Sequence, residues 1–339
     1  MIKEAISMIT SGTSLNMDEA SQVMGEIMEG QVTPAQFGAL VTALRLKGET
    51  VEEIAGMAKS MRAHAVRVVT DGPVVDTCGT GGDNAATFNI STAAAFVAAG
   101  AGLKVAKHGN RAMSSKCGSA DVLEALGVKI DLTAGQVKRC LDETGIGFMF
   151  TPSFHPAMKY ASAPRKEIGI RTVFNILGPL TNPAGAQAQV LGVADGALVE
   201  KMAKVLQLLE CRHALVVHSE DGLDELSVTA RSFVFELDDG RLRSYAVTPE
   251  EFGLPRASLA DLKGGAAADN AALLRRALSG EPGHPQDAVV LNAGAALVAG
   301  GRAATLAQGI ALARASVENG SALEKLERLV ALTRSFNGD

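Results

Sequence analysis

A chain of 339 residues has room for about two domains. Apolar residues at 47% and charged residues at 20% exclude intrinsic disorder, and a net charge of −5 argues against non-specific nucleic-acid binding. The longest apolar runs, 93–103 and 293–300, fall short of the roughly 20 residues of a membrane span, no leader pattern opens the chain, and four cysteines without a CxxC pair indicate reduced thiols in a cytoplasmic protein.

Residues 1–65 read as helices only. Ile2, Ile6 and Ile9 share one helix face. Asn16 with Glu19, Thr33 with Gln36, and Thr50 with Glu53 each spell a capping box, and Pro34 stands at a first helical position. Helical apolar spacing follows each box: Ala20, Val23, Met24, Ile27; then Phe37, Leu40, Val41, Leu44; then Ile54, Met57, Ala58, Met61. Gly48 marks a helix stop. From Asp71 onward short β-rich runs alternate with helical ones. Strands are predicted at 73–77, 103–106, 147–150, 188–193 and 213–218, and helices at 91–101, 120–126, 134–143 and 197–209. Such alternation predicts a mainly parallel sheet covered by helices, with ligands at the carboxyl ends of its strands. Residues 175–185, with two prolines and two glycines, read as a crossover loop between domains. Residues 292–336 return to helix, packing on Leu323, Leu326, Leu329 and Val330.

Four segments carry chemistry. Asp76-Thr77-Cys78-Gly79-Thr80-Gly81-Gly82-Asp83 follows the first predicted strand. Its glycines let backbone approach a ligand and turn amides inward, a nest for anionic oxygen. It is neither a P-loop nor GxGxxG, since no Gly-Lys-Ser/Thr follows and Asn84 stands where the last glycine belongs. Asn89-Ile90-Ser91-Thr92 opens a helix, with Asn89 or Ser91 as its cap and its first-turn amides as a second anion site. Lys107-His108-Gly109-Asn110-Arg111, then Ser114, Ser115, Lys116 and Ser119, gather cations and hydroxyls after the second strand, chemistry suited to phosphate. Asp221-Gly222-Leu223-Asp224-Glu225 offers adjacent carboxylates, which suit a Mg²⁺ ion shared with substrate phosphates. His213 and His218, five apart on a strand, face opposite sides and form no metal pair, while His64 and His284 read as surface residues. No Ser–His–Asp set or HExxH is evident, which disfavours covalent hydrolysis.

With HPAM at 155–158, APRKEIGIRT around Arg165 and NILGPLTNP at 175–183, these segments make the sequence resemble the anthranilate phosphoribosyltransferases nearly end to end. The resemblance implies a nucleoside phosphorylase-like α/β fold with a small all-helical domain and a mainly parallel central sheet flanked by helices. The helical domain would span 1–70, joined by helices around 157–178; the α/β domain would span 71–156 and 179–339, with the active site between. It further implies transfer of phosphoribose from 5-phosphoribosyl-1-pyrophosphate (PRPP) to the amine of anthranilate in tryptophan biosynthesis. Mg²⁺ is the implied cofactor and a homodimer through the helical domain the implied assembly, with no nucleic-acid or membrane partner.

Carried over residue by residue, the resemblance places Gly79, Gly82, Asp83 and Thr87, then Asn89, Ile90, Ser91 and Thr92, on PRPP. Lys107, His108, Gly109, Asn110, Arg111, Ala112, Met113, Ser114 and Ser115 would wrap its phosphates, with Ser119 nearby. Ser91, Asp224 and Glu225 would hold Mg²⁺. Gly79, Asn110 and Arg165 would contact anthranilate, with His108 and His155 beside its approach path. No general base is assigned. The alternative of the same fold is a nucleoside phosphorylase, which has no need of a carboxylate pair on metal. A nucleic-acid-binding relative without activity is opposed by the net charge and the intact glycine loop.

Overall fold

The computed structural model describes residues 1–83, 85–112 and 116–336. It opens with helices α1 (Ile2–Thr10), α2 (Met17–Met28), α3 (Pro34–Lys47) and α4 (Val51–Ala63). All three capping boxes form. Asn16 Oδ1 accepts from Glu19 N and Glu19 Oε2 from Asn16 N, both at 2.9 Å; Thr33 with Gln36 and Thr50 with Glu53 do the same. Glu53 does more than cap. Its fully buried carboxylate also accepts from Leu15 N at 3.0 Å and Lys47 Nζ at 2.9 Å, so a buried charge stays paired and hydrogen-bonded.

Beyond residue 70 the chain alternates: β1 (Val75–Gly79), α5 (Ile90–Gly100), β2 (Val105–Gly109), α6 (Ser119–Ala125), α7 (Ala134–Thr144) and β3 (Ile146–Phe150). A connecting segment follows, with α8 (Thr151–Phe154), α9 (Lys159–Ile168) and α10 (Phe174–Leu177). Residues 175–185, expected as loop, therefore begin inside α10 and continue through a 3₁₀ turn at Gly178–Leu180. Then come β4 (Ala188–Gly192), α11 (Val199–Leu208), β5 (His213–Ser219), β6 (Ser232–Asp238), β7 (Arg241–Val247), α12 (Ala267–Leu278), α13 (His284–Ala299), α14 (Leu306–Glu318) and α15 (Ser321–Ser335).

Among the described residues the strands form one sheet in the order β3-β2-β1-β4-β5-β6-β7, parallel from β3 to β5 and antiparallel thereafter. The chain winds outward from β1 through β2 to β3, then returns to the other side of β1 for β4 and β5. This places a topological switch point between the carboxyl ends of β1 and β4, where open α/β sheets bind ligands. Register sets Gly79 opposite Gly192 there.

β6, β7 and α12 lie where the sequence pattern predicts no element. In β6 the buried Glu236 interrupts the apolar pattern. It is held by His213 Nε2 at 3.0 Å, Arg243 Nη2 at 2.9 Å and Tyr245 OH at 2.8 Å, which together pull its pKa down to about 2 despite burial. Asp239 and Gly240, both at positive φ, make the hairpin turn.

Two buried clusters result. One joins the sheet to α5, α13 and α15 through residues such as Phe96, Leu297 and Leu326. The other joins the opening helices to α9, α10, α11 and the opposite sheet face through Met24, Leu40, Leu177, Leu206 and Val216, with the Phe37 and Phe174 rings 5.3 Å apart. The apolar runs at 93–103 and 293–300 lie in the interior helices α5 and α13 and their flanks. Among the described residues no helix is long and apolar enough to cross a membrane. The four cysteines are free thiols.

Candidate active site

The site is built at the switch point. The glycine loop leaves β1, and the acidic loop after β5 folds under it. Asp224 Oδ2 accepts from Gly81 N at 2.7 Å, and Glu225 Oε1 accepts from Ser91 N, in the first turn of α5, at 3.2 Å. Two glycines make room for this approach. A Cβ on Gly79 would lie 2.2 Å from Asp224 Oδ2, and one on Gly192 would lie 1.5 Å from Asp224 O. Asn292 on α13 clamps the next residue: its Oδ1 accepts from Leu226 N at 3.0 Å and its Nδ2 donates to Leu226 O at 2.8 Å. Ser219 Oγ donates to Glu225 O at 2.7 Å. Burial, then repulsion among Asp83, Asp224 and Glu225, raises the pKa of Asp224 and Glu225; Asp83 is raised chiefly by burial.

Asn89 stands at the N-cap position of α5, but its side chain does not cap, contrary to expectation. Its Nδ2 donates to Cys117 O at 3.1 Å, and its Oδ1 accepts from Asn270 Nδ2 at 3.0 Å. The amide of Ser91 is taken by Glu225 instead. Thr92 Oγ1 is buried with no partner among the described residues. Thr87 is bridged to Lys263 beside the loop, and Ile90 is buried.

Lys107, His108 and Gly109 belong to β2 rather than to a loop. Lys107 is only 3% exposed; its Nζ donates to Thr77 O and lies 3.5 Å from Ser91 Oγ, and burial lowers its pKa. The buried Asp76 accepts from Asn182 Nδ2 at 2.7 Å and His108 N at 3.3 Å. Asn110 is exposed, with Oδ1 accepting from Arg111 N at 2.8 Å. The Arg111 guanidinium turns to Asp121 and Glu124 and lies over the Phe150 ring, while Ala112 N donates to Asp121 at 3.0 Å. Ser119 Oγ donates to Asn110 O at 3.3 Å. Met113, Ser114 and Ser115 lie outside the described residues.

Arg165 sits on α9 over the Phe174 ring, 5.3 Å from its centroid. Among the described residues it has no carboxylate within ion-pair distance, and burial lowers its pKa. Neither His108 nor His155 is a surface group. Their rings lie 5.0 Å apart, and burial first, with the neighbouring imidazole second for His108, drives the pKa to about 3 for His108; burial brings His155 to about 4. His155 Nε2 has no partner among the described residues. His218 bonds Val193 O at 2.9 Å, well apart from His213 and its Glu236 partner.

A family model described as the glycosyl transferase family a/b domain matches residues 71–323, and one described as the helical bundle domain of the same family matches residues 3–65. An anthranilate phosphoribosyltransferase from Moorella thermoacetica is 57% identical over 337 residues, 99% of each chain. One from Chloroflexus aggregans is 60% identical over 335 residues, 98% of each. The chain belongs to the anthranilate phosphoribosyltransferase family. Among solved structures, an anthranilate phosphoribosyltransferase from Thermus thermophilus superposes with a TM-score of 0.93 at 48% identity, covering 98% of this chain and 99% of its own. The Saccharomyces cerevisiae enzyme in complex with PRPP and Mg superposes with a TM-score of 0.91 at 28% identity, covering 99% of this chain and 98% of its own.

Within this phosphoribosyltransferase fold, several residues that sequence reasoning passed over hold the site together. Asn182, Asn270 and Asn292 are buried amides that pin Asp76, Asn89 and Leu226. A polar residue inside an apolar stretch, as Asn292 is in Val289–Val298, was the available signal. Arg171 donates from Nη2 to Gly81 O at 3.0 Å, over the glycine loop. Its sequence neighbourhood, IGIRTV, gives no such hint.

Proposed function

We infer that the chain carries out its family's reaction, transferring the phosphoribosyl group of PRPP to the amine of anthranilate and releasing pyrophosphate, as in tryptophan biosynthesis. The observation that carries the reading is the carboxylate pair Asp224 and Glu225 seated between the glycine loop and the N-terminus of α5, at the sheet's switch point. The helical domain comprises 1–70 with helices around 157–178, and the α/β domain 71–156 and 179–339. The protein works as a cytoplasmic homodimer joined through the helical domain, with small-molecule substrates and no nucleic-acid or membrane partner.

The residues present fit Mg²⁺. Asp224, Glu225 and the Ser91 hydroxyl are hard oxygen donors, and both carboxyl pKa values are raised, by burial first and by repulsion from neighbouring carboxylates second. Among the described residues no three His, Cys, Asp or Glu side chains close into a metal cage, which suits an ion that keeps waters and substrate oxygens. When bound, Mg²⁺ supplies positive charge to the departing pyrophosphate.

The chain's own groups do the rest. Gly79, Gly82 and Asp83 with Thr87, residues 89–92, residues 107–115 and Ser119 hold PRPP. The α5 N-terminus brings its dipole to the phosphates, and Lys107 sets a buried positive charge between strand and helix. Gly79, Asn110 and Arg165 receive anthranilate; the unpaired Arg165 guanidinium offers a planar two-donor fork to its carboxylate. The aromatic amine is already neutral at pH 7, so no proton leaves before attack; the one its nitrogen sheds as the C–N bond forms and the bond to pyrophosphate breaks goes to anthranilate's own carboxylate or to water, and positioning and charge stabilisation supply most of the rate. The test follows the loss of anthranilate fluorescence with PRPP and Mg²⁺ against phosphorolysis of thymidine. Phosphorolysis without anthranilate consumption would overturn the reading.

A further inference from the structure

We propose that Arg171 is a positioning residue for PRPP, strapping the glycine loop from the segment that carries the anthranilate-side Arg165. The inference rests on the reading that the glycine loop receives PRPP. Gly169 N donates to Arg165 O at 3.2 Å and ends α9 in a left-handed turn, which reverses the chain and delivers Arg171 two residues later. There Nη2 donates to Gly81 O at 3.0 Å. The guanidinium also points Nη1 at Gly82: a Cβ built there would fall 1.6 Å from Nη1 and 2.7 Å from Cζ. Only glycine leaves that face open to the cation.

Gly81 is thus held at both ends. Its N–H goes to Asp224 Oδ2 at 2.7 Å, and its carbonyl accepts from Arg171. Among the described residues nothing lies within 4 Å of the space a side chain on Gly81 would fill, so these two ties, with Thr80 Oγ1 3.5 Å from Gly81 O, set the position of a run that is otherwise conformationally permissive. Among the described residues the Arg171 guanidinium's hydrogen bond is to Gly81 O, not to a carboxylate. A loop ordered before the ligand arrives binds it with a smaller entropic cost. The strap therefore acts on PRPP, while Arg165, six residues earlier, acts on anthranilate.

The experiment compares wild type with Arg171→Ala, Arg171→Lys, Gly82→Ala and the double variant Gly82→Ala/Arg171→Ala. Steady-state kinetics are read by anthranilate fluorescence, and thermal unfolding is read with and without PRPP. Arg171→Ala is expected to raise the PRPP KM roughly tenfold, the scale of losing a hydrogen bond to a charged group, with the anthranilate KM unchanged within about twofold. Lysine recovers part of the loss, because it keeps a donor but not the planar contact. The stabilisation by PRPP shrinks in Arg171→Ala, since it tracks occupancy. The double variant falls no further than the worse single one, because an alanine at Gly82 already displaces the guanidinium. An unchanged PRPP KM and unchanged stabilisation by PRPP in Arg171→Ala would overturn the proposal, as would a fully additive double variant. If wild type consumes no anthranilate, the proposed reaction fails, yet the stabilisation by PRPP still decides Arg171. If PRPP does not stabilise wild type at all, the inference falls with the PRPP site.

Discussion

Gly192→Ala is expected to disable the enzyme without touching a ligand. A methyl at this position lies 1.5 Å from the Asp224 carbonyl oxygen and 2.4 Å from its carbon, whereas ordinary contact begins near 3.4 Å. Backbone, unlike a side-chain tip, has no rotamer to turn. The acidic loop must therefore retreat by about 1.9 Å, carrying both carboxylates from the Gly81 and Ser91 amides. Misplacement of ~1 Å costs about 10²-fold in rate, so kcat/KM should fall at least that far, about 2.7 kcal/mol of transition-state stabilisation. Gly79→Ala meets a carboxylate tip at 2.2 Å, which rotates away and loses one hydrogen bond; a drop of about tenfold is expected. Gly81→Ala meets nothing and suffers only a φ of +66°, a strain of about 1–2 kcal/mol. The assay is anthranilate fluorescence at saturating Mg²⁺, with circular dichroism and Tm confirming folded protein. Wild-type kcat/KM in folded Gly192→Ala, or an equal loss in Gly81→Ala, would refute the reasoning.

Three further outcomes are expected. Arg165→Ala should raise the anthranilate KM by about tenfold or more while PRPP affinity changes little, since a charged hydrogen bond is worth about 1.5–3 kcal/mol; aniline, lacking the carboxylate, should scarcely separate mutant from wild type. Replacing Asp224 and Glu225 together with Ala, or adding excess chelator to wild type, should lower turnover at least ~10²-fold, and an active chelated enzyme would remove Mg²⁺ from the scheme. Because His108 and His155 titrate near 3 and 4 when folded and near 6.5 when unfolded, the unfolded chain binds more protons between pH 6.5 and 4. Stability should therefore fall on acidification through that window, by up to about 1.4 kcal/mol per proton per pH unit. A Tm profile from pH 7 to 4.5 should flatten in His108→Gln/His155→Gln, and identical profiles would contradict the burial of these rings as neutral groups.

Much of what is encoded locally is legible in the sequence. Capping boxes at Asn16, Thr33 and Thr50 form as written, because both partners lie within one helical turn. Of the parallel strands, β3 and β5 were visible as apolar runs, IGFMF and ALVV, whereas β1, β2 and β4 carry the buried polar residues Asp76, Lys107, His108 and Gln189. The β6–β7 hairpin was missed although Asp239-Gly240 is a local turn signal; what separation along the chain hid is the burial of Glu236 among His213, Arg243 and Tyr245. The same limit applies to the site. The glycine loop and the acidic pair were legible as motifs. That Gly79 serves Asp224, that Asn89 bonds Asn270 rather than capping α5, and that Arg111 turns to Asp121 and Glu124 depend on residues distant in sequence. Spacing along the chain carries no record of such meetings.

The second buried cluster has a consequence for how the molecule is made. It joins Ile2 through Met61 to residues from Ala161 onward, including Val216 and Leu237. During synthesis the opening helices emerge first, yet the partners that cover them arrive about a hundred residues later and beyond. Until then α3 presents Phe37 without Phe174, and α4 waits for α11. The nascent amino-terminal segment therefore leaves the ribosome as an incomplete bundle with sticky apolar faces, a natural client for chaperones. It becomes a finished unit only when the connecting segment and the sixth strand have been translated, so that its assembly waits on that of the sheet.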